Sequence, residues 1–146
     1  VQQDGVWARV IAGECMGVTS TIDTVIPITL IHVKMEKDAV LTQKIGADLN
    51  GMIYAFGGSV NVVNRMGVRS SPLPLGFGVK QQVSDGELAL LTEGDVIELK
   101  CDQSAELLIL AGPEINEPIA RYGPFVMNTR QEIHQAVIDY QNGTLA

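Results

Sequence analysis

Residues 25 to 36 read VIPITLIHVKME, the longest run of strand-forming residues in the chain. Thr29, Ile31, Val33 and Met35 keep one side mostly apolar, while the other passes from Ile26, Ile28 and Leu30 to His32, Lys34 and Glu36. Successive side chains of a strand point to opposite faces of a sheet, so a period of two with one apolar face predicts a half-buried β-strand. The switch along the second face predicts that one end of it meets water.

Outward from this run the same pattern repeats in shorter pieces. Trp7 to Ala12, Met52 to Phe56, Ser59 to Val63, Gly76 to Val79, Glu87 to Leu91, Val96 to Lys100 and Glu106 to Leu110 are further strand candidates. Turn formers punctuate them. Ser84-Asp85-Gly86 and Glu93-Gly94-Asp95 each put a glycine where a tight turn takes a positive φ, and Gly57-Gly58 favours a bend or a close backbone approach. Short strands at this spacing predict an all-β sandwich or barrel with antiparallel pairing, over roughly residues 7 to 111.

The final segment changes period. Thr129 and Glu132 form a T-x-x-E capping box. Ile133, Ala136, Val137 and Tyr140 then recur at helical spacing, and Gly143 suits the residue after the last turn. A single helix over residues 129 to 142 is expected. Between strands and helix, residues 112 to 128 form an irregular strap in which two glycine-proline steps, 112–113 and 123–124, fix the path. Tyr122, Phe125 and Met127 are its expected anchors and Pro124 stiffens it; full burial of Phe125 would make Phe125→Ala cost about 3 to 5 kcal/mol. One domain over residues 1 to 146 accounts for the length.

Ten Lys plus Arg against 17 Asp plus Glu leave a formal charge of −7. An acidic surface opposes sequence-independent attraction to nucleic-acid phosphates or anionic lipid, so no direct nucleic-acid partner is expected. Apolar runs are too short for a membrane-spanning helix. No basic segment followed by an apolar one opens the chain, and an intracellular, cytoplasmic setting is expected. Cys15 and Cys101 make no C-x-x-C pair and read as buried reduced thiols.

The inventory for catalysis is thin. Nucleotide, zinc-protease and nucleophile-elbow motifs are all missing. His32 and Glu36 share a strand face, yet Lys34 between them would repel a cation, which makes a poor metal site. His134 falls beside the helix stripe. Arg65, Arg69 and Lys80 flank a loop whose backbone donors could hold a small anion. Asn142-Gly143-Thr144 spells a glycosylation sequon, but its Asn-Gly also ends the helix, and the capping reading is preferred.

GPEINEPIARYGPFVMNTRQEI, residues 112 to 133, with AVIDYQNG at 136 to 143, closely resembles the carboxy-terminal end of the pirin family. RVIAGE at 9 to 14 resembles the opening of the second half of pirins, and LTEGDVI at 91 to 97 resembles a cupin turn and strand. Residues 37 to 80 match more loosely. The resemblance implies a cupin-type (RmlC-like) double-stranded β-helix, or jelly-roll barrel, with one carboxy-terminal α-helix, and it covers only the second of the two barrels of a complete pirin.

In the family, iron is held by a His-x-His pair, a further His and a Glu of the first barrel. None of these can be assigned to this chain, where the nearest approach is His32-Val33-Lys34. Neither a catalytic residue nor a bound metal or other cofactor is therefore expected here. The resemblance also implies a link to iron-dependent quercetin oxidation and to transcriptional co-regulation through protein partners. The expected role is a metal-free cupin domain that serves as scaffold for a metal-bearing barrel, or that self-associates. The alternative is a pirin-like quercetin 2,3-dioxygenase, or a small-molecule enzyme or sensor working in the barrel interior. That role would call on His32, Glu36, Cys101 or Arg69.

Overall fold

The computed structural model describes residues 1–63, 82–91 and 94–145. They fall into two compact units, Val1–Glu114 and Ile115–Ala146. The first contains β1 (Gln2–Gln3), β2 (Val6–Ala12), β3 (Glu14–Cys15), β4 (Val18–Thr19), β5 (Thr29–Met35) and β6 (Val40–Lys44). It continues with β7 (Asn50–Val63), β8 (Gln82–Ser84), β9 (Leu88–Leu90), β10 (Val96–Lys100) and β11 (Ala105–Gly112). The second holds β12 (Ala120–Tyr122), β13 (Phe125–Met127) and α1 (Arg130–Asn142).

Nine strands of the first unit form one curled sheet in the order β1-β2-β5-β11-β7-β10-β6, with β8 and β9 also on β7, while β3 and β4 pair apart. Every pairing is antiparallel. The expected all-β fold with one carboxy-terminal helix is the fold observed, a sheet curled into a half-barrel. Ile31, Val33, Ile53, Leu99, Leu107 and Ile109 are fully buried on its inner side. Each large apolar side chain removed from water contributes about 1.5 to 3 kcal/mol, so these rows hold the curl.

The expected strand from Val25 begins only at Thr29. Pro27 brings no N–H to a ladder, and Val25 is fully exposed. From Thr29 the predicted alternation holds: Ile31, Val33 and Met35 are buried and Lys34 is exposed.

Met52 to Phe56 and Ser59 to Val63, predicted as two strands, are one 14-residue strand, β7. A β-bulge opposite Glu106 and Leu107 interrupts its register. Because a bulge adds one residue, it reverses which side faces inward: Ile53 and Ala55 are buried before it and Val60 after it. Gly58 is required there. Its φ is +69°, and a Cβ would run into the Ser104 carbonyl.

Val40–Lys44 was not foreseen as a strand. Its buried positions are Leu41 and Gln43, and its exposed ones include Val40, so the polar and apolar residues stand on the wrong faces for a period-two signal. Gly86, at φ +76°, makes the turn expected at 84 to 86, where the Glu87 N–H donates to the Ser84 carbonyl. Strand β11 ends at Gly112, where Pro113 follows.

The second unit departs from the expected irregular strap. Residues 120 to 127 form a two-stranded hairpin, β12 with β13, turned at Gly123-Pro124. The capping box is as predicted: the Glu132 N–H donates to Thr129 Oγ1, the Thr129 N–H donates to the Glu132 carboxylate, and Gly143 closes the helix in the left-handed conformation. Ile133 and Ala136 are the buried helix residues.

Candidate functional site

The side of β5 turned away from the core carries His32. Its neighbours come from four strands. Pairing sets Trp7 of β2 opposite Lys34, and sets Lys34 and His32 opposite Glu106 and Leu108 of β11. Glu106 Oε1 lies 2.7 Å from His32 Nε2 and 3.1 Å from Lys34 Nζ. One carboxylate thus serves two basic groups. Hydrogen bonds from Lys34 and then His32 hold the Glu106 carboxyl below its ordinary range, since both favour the charged form.

Aromatic rings border this triad. Trp7 meets His32 edge-on at 5.3 Å between ring centroids, and Phe56, at the bulge of β7, lies 5.6 Å from it. Phe56 also stacks with Tyr54 at 6.1 Å. Lys34 Nζ and Arg9 Cζ stand 5.9 and 5.8 Å from the Trp7 ring centroid, within reach of a cation–π attraction.

Beside the triad the same side becomes apolar. Register aligns Leu30, Leu110, Met52 and Leu90 in one row across β5, β11, β7 and β9. His32, Leu108, Tyr54 and Leu88 form the next row. Leu88 and Leu90 are 54% and 58% exposed, and Phe56 is 39% exposed. Two such adjacent rows make a contiguous apolar surface, the kind that soluble proteins ordinarily cover with a partner.

A metal finds no suitable cage here. His32 and Glu36 do not form the pair considered from the sequence; the carboxylate at His32 is Glu106. Glu36 lies past the end of β5, where its N–H donates to the Gly5 carbonyl. The Lys34 ammonium occupies the Glu106 oxygen that a cation would need. Among the described residues no three of His, Cys, Asp and Glu converge on one point, so these residues do not fit the iron that the family resemblance brings to mind.

Cys101 is wholly buried, with Sγ 3.7 Å from the Ser59 carbonyl oxygen. Burial pushes its thiol up, which disfavours the nucleophilic thiolate. Cys15 and Cys101 are both buried free thiols, as the sequence predicts. Arg65, Arg69 and Lys80, the expected anion loop, lie outside the described residues, as does the strand expected at 76 to 79. His134 is exposed on α1.

In the second unit Tyr122 is 67% exposed, Pro124 is exposed, and Phe125 and Met127 are half-buried. Phe125 meets Tyr140 of α1 edge-on at 5.9 Å. Trp7, Tyr54, Phe56 and Glu106 were not singled out by sequence reasoning. The available signal was apolar or aromatic residues on the outward parity of the strands, which marks a second surface to cover.

Comparison with known proteins places this geometry. The family description "Pirin C-terminal cupin domain" matches residues 30–146. A Vibrio cholerae protein with the provisional name quercetin 2,3-dioxygenase is 35% identical over 140 residues, which cover 92% of this chain and 44% of that protein. Human Pirin is 31% identical over 142 residues, covering 96% and 45%. The crystal structure of a quercetin 2,3-dioxygenase from Acinetobacter baumannii superposes with a TM-score of 0.78 at 27% identity, covering 99% of this chain and 46% of that one. The chain thus spans a little under half the length of these relatives.

Proposed function

The chain belongs to the pirin family, as a C-terminal cupin domain, and on that premise we propose that it works by contact, as the scaffold on which a metal-bearing cupin barrel docks. The observation that carries this reading is the outward side of β5, β11, β7 and β9, where exposed Leu88 and Leu90 end the two aligned rows and exposed Phe56 lies at the bulge beside them. The occupant is a second cupin barrel because the relatives are about twice the length of the matched region. The aromatic-bordered Glu106 triad gives the surface a polar centre that fixes orientation, since polar groups select register more than they add affinity.

In this reading the chain holds no metal or other cofactor and meets neither nucleic acid nor membrane. No helix of the described residues is long and apolar enough to cross a membrane. Oxidation of quercetin, which the names of two relatives suggest, would belong to the assembled pair. The iron would sit in the other barrel, and this domain would shape and shield that site.

Sedimentation of the chain mixed with an iron-loaded first cupin barrel from a pirin tests the proposal. A one-to-one complex is expected, and Leu88→Asp with Leu90→Asp should abolish it while the variant stays folded. Persistence of two unmixed monomers would reject the proposal. A symmetric dimer of this chain alone, lost in the same variant, would replace the second barrel with a second copy.

A further inference from the structure

Gln43 is the one buried polar side chain among the described residues, 4% exposed. It stands on β6, the last strand of the sheet, between inward Leu41 and Ile45. Both hydrogens of its Nε2 are used: they are donated to the carbonyls of Glu14 and Lys44, each at 2.8 Å. The first bond fastens the edge of the sheet to β3. That fastening fixes the amide and leaves Oε1 without a donor among the described residues. A buried acceptor with no partner is costly, and such groups are ordinarily satisfied from outside the chain when they are not satisfied within it.

A cleft of about 370 Å³ opens at this place. Gln43 and Cys15 are its deeply buried residues, Met16 adds an apolar wall, and Thr29, on the same parity as buried Ile31, brings a hydroxyl with no partner among the described residues. A hydroxyl both donates and accepts. Exposed Glu14 and Lys44 complete the lining with opposite charges, so the site does not select an ion of either sign. The volume lies within the range of about 300 to 1,000 Å³ typical of small-molecule sites.

We propose that this cleft binds a small, neutral, polyhydroxylated molecule of monosaccharide size. One hydroxyl donates to Gln43 Oε1, another exchanges a hydrogen bond with the Thr29 hydroxyl, and a C–H face of the ligand lies on Met16 and Cys15. The site uses β3, the start of β5 and the edge strand β6. It involves none of the docking residues Phe56, Leu88 and Leu90, and it stands whether or not that surface takes a second barrel.

Titration of the ¹⁵N-labelled chain with D-glucose and, separately, with myo-inositol tests it. Saturable shifts are expected in the Gln43 side-chain amide and in the backbone amides of Cys15 and Thr42, with a Kd on the order of 1 mM for at least one probe. Thr29→Val keeps size and leaves the Gln43 clamp intact; it should weaken that binding by about tenfold or more. Its amide spectrum verifies the fold. No saturable shift at Gln43 with either probe overturns the proposal and leaves Oε1 to an ordered water. Shifts that the Thr29→Val variant does not weaken overturn it as well.

Discussion

His32 Nε2 lies 2.7 Å from Glu106 Oε1, a pair drawn from strands 74 residues apart in the chain. The contact exists because β5 and β11 are neighbours and both side chains take the outward parity. It makes His32 a hydrogen-bond partner of the same carboxylate oxygen that pairs with Lys34. The same side carries the apolar rows, so one surface combines orientation with burial.

Glu106 gives that cluster a pH dependence. Its folded pKa is lowered, so the stability it contributes is complete above the unfolded carboxylate pKa of about 4.3 and is lost as pH falls through the lower folded value. Urea denaturation followed from neutral pH into the acid range should therefore show less acid loss for Glu106→Gln than for the parent. Equal slopes would remove Glu106 from the account.

Gly58→Ala should be among the most damaging small substitutions. It combines a left-handed conformation, which alone costs a non-glycine residue about 1 to 3 kcal/mol, with a collision against the Ser104 carbonyl. Gly57→Ala should cost less, because the nearest atom to its Cβ would be Glu106 Cβ at 3.1 Å, the backbone of Glu106 stays at ordinary contact distance, and its φ is not positive. Denaturant midpoints compare the two directly.

Ile109→Ala should lower stability by about 2 to 5 kcal/mol, since Ile109 is fully buried in the middle of β11. Chemical denaturation with an unchanged m-value is the expected signature.

Phe125→Ala should cost about 1 to 2 kcal/mol rather than the 3 to 5 of a fully buried phenylalanine. Its ring is half-buried and keeps an edge contact with Tyr140. Near-ultraviolet circular dichroism should report the loss at Tyr140, with the far-ultraviolet helix signal retained.

What the chain announced in advance was local. The capping box at Thr129 and Glu132, the closing Gly143 and the strand over Val96–Lys100 each rest on residues close in sequence, and each formed as read. The alternation through Ile31, Val33 and Met35 was equally legible. What stayed hidden depends on partners far along the chain. Strand β6 hides because Gln43 faces inward and is satisfied there by the carbonyls of Glu14 and Lys44. The Glu106 triad hides because strand order, not spacing, brings it together. The hairpin at 120 to 127 hides because exposed Tyr122 and Val126 break the expected one-sided pattern.

Hydroxyl-radical footprinting of the chain alone and in complex with an iron-loaded first cupin barrel tests the docking proposal most directly. Labelling of Trp7, Tyr54, Phe56, Leu88 and Leu90 should fall together in the complex, while exposed Val40 on the edge strand β6 keeps its labelling. A complex that forms with those five side chains still fully labelled would contradict it.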